Sequence, residues 1–359
     1  MGVRFEAVSK VFPDGTVALD RLDLTFETGE FVVLLGPSGS GKTTACRILA
    51  GLEEASGGRI TVDGRDITGL PPRERGMSMV FQNYALYAHK SVYDNIAYPL
   101  RVRKTPKGEI DRMVRAMAAL LQIDELLARR PAQLSGGQAQ RVAVARALVW
   151  QPDICLMDEP LSNLDALLRL HTRTELKRLH GELGKTFVFV THDQEEAMTL
   201  GTRIAVLNEG KLIQFDTPKR VYHQPRTRFV AEFIGRPAMN TLEGEIAGNR
   251  FRAGGLELPV AGRAEGPVVF GIRPEHLVIR ESPTAHSIAF ELDVAELVEP
   301  DTLLFVRKDG VALVARGKLD PDRLSKGAAV HLEFPEDQRH FFDAETGERQ
   351  GEHQGKHTS

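Results

Sequence analysis

The stretch Leu134 to Arg141, LSGGQAQR, constrains this chain more than any other. It opens what reads as a helix, QAQRVAVARALV, with Ser135 as N-cap and Gly136 and Gly137 allowing the backbone to come close to an anion. A helix N-terminus with free N–H groups is a phosphate-binding device. A second such device lies upstream, GPSGSGKTT from Gly36 to Thr44. A chain with two phosphate-binding helix starts must present both on a rigid scaffold. It requires two nucleotides, or one nucleotide shared between two copies of the chain.

The upstream loop fits G-x-x-x-x-G-K-[ST] through Gly36, Gly41, Lys42 and Thr43. The apolar run FVVLLG before it reads as a buried strand and TTACRILAGL after it as a helix. That strand–loop–helix context separates a phosphate loop from an ordinary glycine-rich turn. Backbone N–H groups of Gly39, Ser40 and Gly41 are placed to cradle phosphates, Lys42 to reach the β- and γ-phosphates, and the Thr43 hydroxyl to hold Mg²⁺. A third element, ICLMDEPLSNLD, runs an apolar strand into Asp158 and Glu159. Strand ends of this kind deliver carboxylates to the edge of a parallel sheet. Asp158 is placed to bind Mg²⁺ and Glu159 to deprotonate an attacking water. Adjacent acids also occur as plain exposed strand ends, so the two upstream motifs decide between the readings. TFVFV ends in Thr191–His192; a lone His at a strand end is more often structural, but the position after the carboxylate strand favours contact of His192 with the γ-phosphate. Gln82, after the strand in MVFQNYALY, can hold Mg²⁺ or the water, and can sense a neighbouring protein.

These residues together resemble the nucleotide-binding subunits of ATP-binding-cassette (ABC) importers, over nearly the whole chain. In that family's order, Gly36, Pro37, Ser38, Gly39, Ser40, Gly41, Lys42, Thr43 and Thr44 are the Walker A loop and Gln82 is the Q-loop. Ser135, Gly136, Gly137 and Gln138 are the signature, which acts on the partner's ATP. Ile154–Glu159 is Walker B, Asp165 ends the D-loop, and His192 is the switch histidine. Phe12 matches the aromatic that stacks on adenine. The turns FIGRPAMN and GIRPEHL are similar to the maltose and glycerol-3-phosphate importers. Ala88, Lys90 and Ala139 depart from the usual pattern, and the first two fall where a membrane partner docks. The resemblance implies an ATPase that uses ATP with Mg²⁺. It implies a homodimer on the cytoplasmic face of the membrane, two transmembrane permeases and, indirectly, an extracytoplasmic solute-binding protein. The implied cargo is a sugar, sugar alcohol or glycerol-3-phosphate, with a polyamine, iron or another small solute as the alternative. Translation and repair ATPases with the same cassette are a remoter reading, because this chain has one cassette and no heptad run.

Composition agrees. The 359 residues suggest two or three domains, and no apolar run of 18 or more spans a bilayer. MGVRFEAVSK has no apolar signal region. A net charge of −3 argues against nucleic acid as a partner. Cys46 and Cys155 lie in apolar segments and read as small buried hydrophobes of a reducing compartment. The expected fold class is α/β. A P-loop cassette (1–235) combines a parallel core sheet, an antiparallel sheet and a helical subdomain near 90–135. An all-β barrel of the OB type (236–348), built from five or six strands, and a disordered tail (349–359) follow. Thr105–Pro106 is expected to cap the inserted helix, and the Lys and Arg residues of ALLRLHTRTELKRLHGEL to form a solvated face.

Overall fold

The computed structural model describes residues 2–351. In chain order the first elements are β1 (Gly2–Val11), β2 (Val17–Glu27), β3 (Phe31–Leu35), α1 (Lys42–Ala50), β4 (Gly57–Val62), β5 (Arg65–Asp66) and β6 (Met77–Val80). Three helices follow: α2 (Val92–Val102), α3 (Lys107–Leu120) and α4 (Gly136–Leu148). Then come β7 (Ile154–Asp158), α5 (Ala166–Leu183), β8 (Thr186–Thr191), α6 (Gln194–Leu200), β9 (Arg203–Asn208) and β10 (Lys211–Asp216).

The central sheet has the order β10-β9-β3-β8-β7-β6. Its neighbours from β9 to β6 are parallel, and only β10 is antiparallel. Every residue of β3, β7 and β8 is buried. Such strands must be apolar on both faces, which is why FVVLL and TFVFV show no alternation. Helix α1 packs Cys46, Ile48 and Leu49 on this sheet and stops at Gly51, whose left-handed φ of 76° suits glycine. Burial pushes both thiols up, that of Cys155 to about 12. A second, antiparallel sheet has the order β2-β1-β4-β5, as alternation around Asp14–Gly15 predicts.

Two local expectations need correction. Pro106 itself is the N-cap of α3, with ψ 142°, and the helix begins at Lys107. Extended geometry at Pro106 leaves Thr105 outside, its N–H donating to Leu100 O. The cationic face of α5 is not simply solvated. Arg173 is buried and pairs with Glu195 at 3.2 Å, and Arg178 donates to the last carbonyls of α3 at Leu120.

The remaining elements are α7 (Pro218–His223), α8 (Arg228–Phe233) and ten strands. The strands are β11 (Asn240–Ala247), β12 (Arg250–Ala253), β13 (Leu256–Pro259), β14 (Gly266–Ile272), β15 (Val278–Arg280), β16 (Ile288–Val298), β17 (Asp301–Lys308), β18 (Val311–Gly317), β19 (Ala329–Glu333) and β20 (His340–Asp343). They form two five-stranded sheets, β13-β12-β11-β14-β20 and β15-β19-β16-β17-β18. The sequence reading found fewer strands because β12, β15 and β20 have only three or four residues each. Asp309 and Gly310, both at positive φ, close the β17–β18 hairpin, as that dipeptide requires. Arg349 and Gln350 donate backbone hydrogen bonds to Arg226 O and Phe341 O, so the chain is tied to this unit up to there. The rest of the expected disordered tail, 352–359, lies outside the described residues.

The change of pattern in the sequence comes at Gly235, but contacts divide the chain earlier, into Met1–Lys219 and Arg220–Ser359. The cause is Arg273, which is fully buried. It donates to Tyr222 O at 2.6 Å and to Ile234 O at 2.5 Å, capping the carboxyl ends of α7 and α8. Ala231 of α8 packs on Val269 and Phe342. A chain ending after Pro237 strips these partners away. It is expected to bind a dye for exposed apolar surface more strongly than a chain ending after Lys219, and equal binding by the two would refute this assignment of α8.

Candidate functional site

The site lies at the carboxyl edge of the parallel sheet, where β3, β7 and β8 end side by side. From β3 the chain turns into the glycine-rich loop. Gly39 has φ +79° and Gly41 φ +96°, and a Cβ at Gly41 would stand 2.4 Å from Ala18 O. Only glycine fits there. Lys42 then starts α1, 5% exposed, and its Nζ folds back on the loop, donating to Pro37 O at 2.6 Å and Ser40 Oγ at 3.3 Å. Burial pulls its pKa down, opposed by the charges of Glu159 and Asp158.

Strand β7 delivers Asp158, also 5% exposed. It accepts a hydrogen bond from Thr43 Oγ1 at 2.8 Å, and Arg47 Nε stands 3.8 Å away. Burial raises its pKa, opposed by Thr43 and Arg47. Glu159 follows with φ +45°, a left-handed backbone rare for a non-glycine residue. Its N–H donates to Val190 O in β8, which holds the turn. The turn carries the Glu159 carboxylate to His192, with Nδ1 and Oε1 3.4 Å apart. Phe12, Ser38, Lys42, Thr43, Thr44, Glu159 and His192 line a cleft of about 590 Å³. That size suits a nucleotide. Phe12 sits at the rim, with Lys10 Nζ 5.0 Å from its ring.

Magnesium fits the donors present. Thr43 Oγ1 and Asp158 Oδ1 are hard oxygens already 2.8 Å apart, and Asp158 is a buried carboxylate short of cationic charge. Among the described residues no group of three or more His, Cys, Asp or Glu side chains could hold a metal.

Other residues singled out in the sequence stand apart. Gln82 is exposed and does not line the cleft; its Nε2 donates to Ser162 Oγ at 3.3 Å. It is therefore not brought to Thr43 and Asp158. Asn163 Nδ2 donates to Gln82 O at 3.1 Å, so the loop after β7 and the loop after β6 are joined. Asp165 is the N-cap of α5, accepting from Leu168 N–H at 2.9 Å. Ser135 caps α4, and Gln138 Oε1 accepts from Ser135 N–H at 3.0 Å, closing a capping box. The Gln138 side chain thus serves its own helix, while Ser135 and Gly136 are exposed and Gly137 is buried. A Cβ at Gly137 would stand 2.7 Å from the Leu168 side-chain methyls, so a larger residue there would have to displace that side chain. Sequence reasoning missed Arg47. Its position four residues after Thr43 places both on one helix face, which was the available signal.

Residues 19–162 match the ABC transporter family and residues 235–277 the MalK OB fold domain family. The chain is 46% identical over 355 residues to the sn-glycerol-3-phosphate import ATP-binding protein UgpC of Salmonella typhi, with 97% of this chain and 99% of that one covered. The chain belongs to the ABC import ATP-binding proteins. UgpC proteins of Chromohalobacter salexigens (47% identity; 95% of this chain, 94% of that one) and Escherichia coli O1:K1 (44%; 97% and 99%) are similar over comparable lengths. Among solved structures, cbiO1 of Clostridium perfringens, part of the ABC transporter complex cbiONQ, has a TM-score of 0.57 at 30% identity. It covers 61% of this chain and 89% of its own. The ATP-binding cassette MJ0796, a dimer in a post-hydrolysis state bound to ADP and Pi, has a TM-score of 0.54 at 32% identity, covering 60% and 98%. This ABC import ATPase therefore combines a cassette with an all-β OB-fold domain.

The raised pKa of Asp158 has a checkable consequence. A carboxyl whose folded pKa lies above its unfolded value costs stability when charged, and that cost disappears as pH falls through the folded pKa. Asp158→Asn removes the buried charge at neutral pH and leaves an amide oxygen to accept from Thr43. Calorimetry on the nucleotide-free chain is expected to show a Tm unchanged or raised by about 2 °C, together with loss of the further rise that Mg·ATP gives the wild type. A Tm well below wild type would refute it.

Proposed function

We propose that two copies of this chain close head to tail around two ATP molecules and that hydrolysis drives import through two transmembrane permeases. The observation that carries this is the separation of the two phosphate-binding helix starts. Lys42 opens α1 inside the cleft, while Ser135 caps α4 at an exposed position that does not line it. A twofold dimer lets Ser135, Gly136 and Gly137 of each copy complete the cleft of the other, building two equal sites. The MJ0796 cassette, solved as a dimer, supports the same arrangement.

Within each site, Lys42 leaves Pro37 O and Ser40 Oγ for the phosphates, which replace those neutral acceptors with charged ones. Phe12 offers its ring to the base. When bound beside Thr43 and Asp158, magnesium supplies neutralisation of the β- and γ-phosphate charge. Glu159, turned out of the strand line, is the base that takes the proton of the attacking water. His192, 3.4 Å from that carboxylate, holds it in place and reaches toward the γ-phosphate. Gln82 and Asp165 report the state of the site to neighbouring surfaces. Catalysis is positioning plus electrostatics in a partly desolvated cleft.

No helix among the described residues is long and apolar enough to cross a membrane. We place the chain at the cytoplasmic face as a peripheral subunit, served by an extracytoplasmic solute-binding protein. The named relatives support sn-glycerol-3-phosphate as the cargo.

Glu159→Gln is expected to lower kcat by about 10²–10⁴ and to leave an ATP-bound dimer on gel filtration with Mg·ATP. Monomer alone, with hydrolysis near wild type, would remove Glu159 from the base role. The cargo reading is tested by uptake of labelled glycerol-3-phosphate in cells lacking their own import ATPase for it. Restored uptake with this chain, lost in Glu159→Gln, is the expected result, and restored uptake of a polyamine instead would overturn it.

A further inference from the structure

Two consecutive non-glycine residues just after Gln82 lie in the left-handed region, Tyr84 at φ 60° and Ala85 at φ 46°. Single residues of this kind are uncommon and pairs need an external hold. The hold is Arg146, on α4, the helix that Ser135 caps. Its Nη1 donates to Ala85 O at 2.7 Å and its Nη2 to Tyr84 O at 2.8 Å. Its guanidinium lies 5.5 Å from the Tyr87 ring centroid. No carboxylate among the described residues forms a salt bridge with Arg146, and burial pulls its pKa down. The two carbonyls and the Tyr87 ring are what offset its partial desolvation, so the cation and the bend stabilise one another. The far side of the loop is pinned by Asn95, fully buried, which accepts from Tyr87 N–H at 2.8 Å and donates to Tyr87 O at 3.1 Å. The segment from Gln82 to Tyr87 is thus fastened to α4 at one point and to α2 at another.

We propose that Arg146 is a positioning residue for ATP turnover. It fastens the left-handed Tyr84–Ala85 bend, and with it Gln82, to the helix whose N-terminus serves the partner's nucleotide. Movement of α4 on dimer closure then carries Gln82 along. This inference rests on the proposed roles of Gln82 and the signature helix, and it adds the side chain that joins them. The fork geometry matters: guanidinium bonds two adjacent carbonyls at once from separate nitrogens, and a single ammonium cannot reproduce that.

The test compares wild type, Arg146→Ala and Arg146→Lys as full chains. Amide exchange in the nucleotide-free state reads the clamp, and steady-state ATPase reads its effect. Trp150, the single tryptophan, sits just past the end of α4 against Arg103 at 3.6 Å and reports whether that helix end is intact. In Arg146→Ala, the amides of Tyr84, Ala85 and Tyr87 are expected to exchange at least about tenfold faster. Exchange within α4 and the Trp150 emission stay as in wild type. The kcat falls while KM for ATP holds, because Arg146 does not line the cleft. Arg146→Lys recovers part of both. Unchanged loop exchange overturns the clamp. A loosened loop with unchanged kcat overturns the positioning role yet leaves the Glu159 assignment standing. Faster exchange throughout α4, with KM and kcat both altered, shows a general structural role and also overturns it. Should Arg146→Ala fail to fold, Arg146→Lys decides alone: full wild-type kcat and loop protection would refute the need for the fork.

Discussion

The hydrogen bond from Thr43 to Asp158 joins the first turn of α1 to the end of β7. Much of the site is arranged around that 2.8 Å link. It fixes the helix start that faces the phosphates against the strand that supplies the carboxylates. It also keeps two oxygens at a spacing a small hard cation can use. The link is possible because β3 and β7 end at the same edge, separated only by β8. Three fully buried and largely apolar strands make that edge rigid, with polar residues confined to the ends of β7 and β8.

Charge balance at this edge is uneven in the nucleotide-free chain. Lys42 and Asp158 are both buried, yet Lys42 is bonded to neutral oxygens and Asp158 to a hydroxyl, with Arg47 at 3.8 Å. Each carries a pKa displaced toward its neutral form. On the proposed function, a polyphosphate with its cation would remove both mismatches at once. Binding would then relieve an electrostatic cost that the apo fold carries, a differential interaction that can drive a conformational change.

The chemistry was legible in the sequence because its groups lie in short contiguous runs. Lys42, Thr43, Asp158, Glu159 and His192 each follow an apolar strand, and strand ends converge by topology. What stayed hidden depends on distant packing. Arg173 is expected on a solvated face, and nothing local marks Arg146 or Arg273, yet each is drawn inward by partners far along the chain. Gly137 is expected to let the backbone approach an anion, and the structure adds a close neighbour that sequence does not show, the Leu168 side chain on α5. Short strands such as β12 and β15 are set by pairing rather than by their own three or four residues. The cap of α3 was misplaced by one residue because Pro106 takes an extended ψ.

Glu159 shows where the site stores backbone strain. Its backbone sits at φ +45°, a conformation glycine adopts freely and glutamate does not. A change to glycine would relax the turn while deleting the carboxylate. The path to a sturdier but silent molecule is thus a single codon's distance away, and it runs downhill in folding energy. The carboxylate facing His192 is thus held at the cost of a small permanent strain in the backbone that carries it.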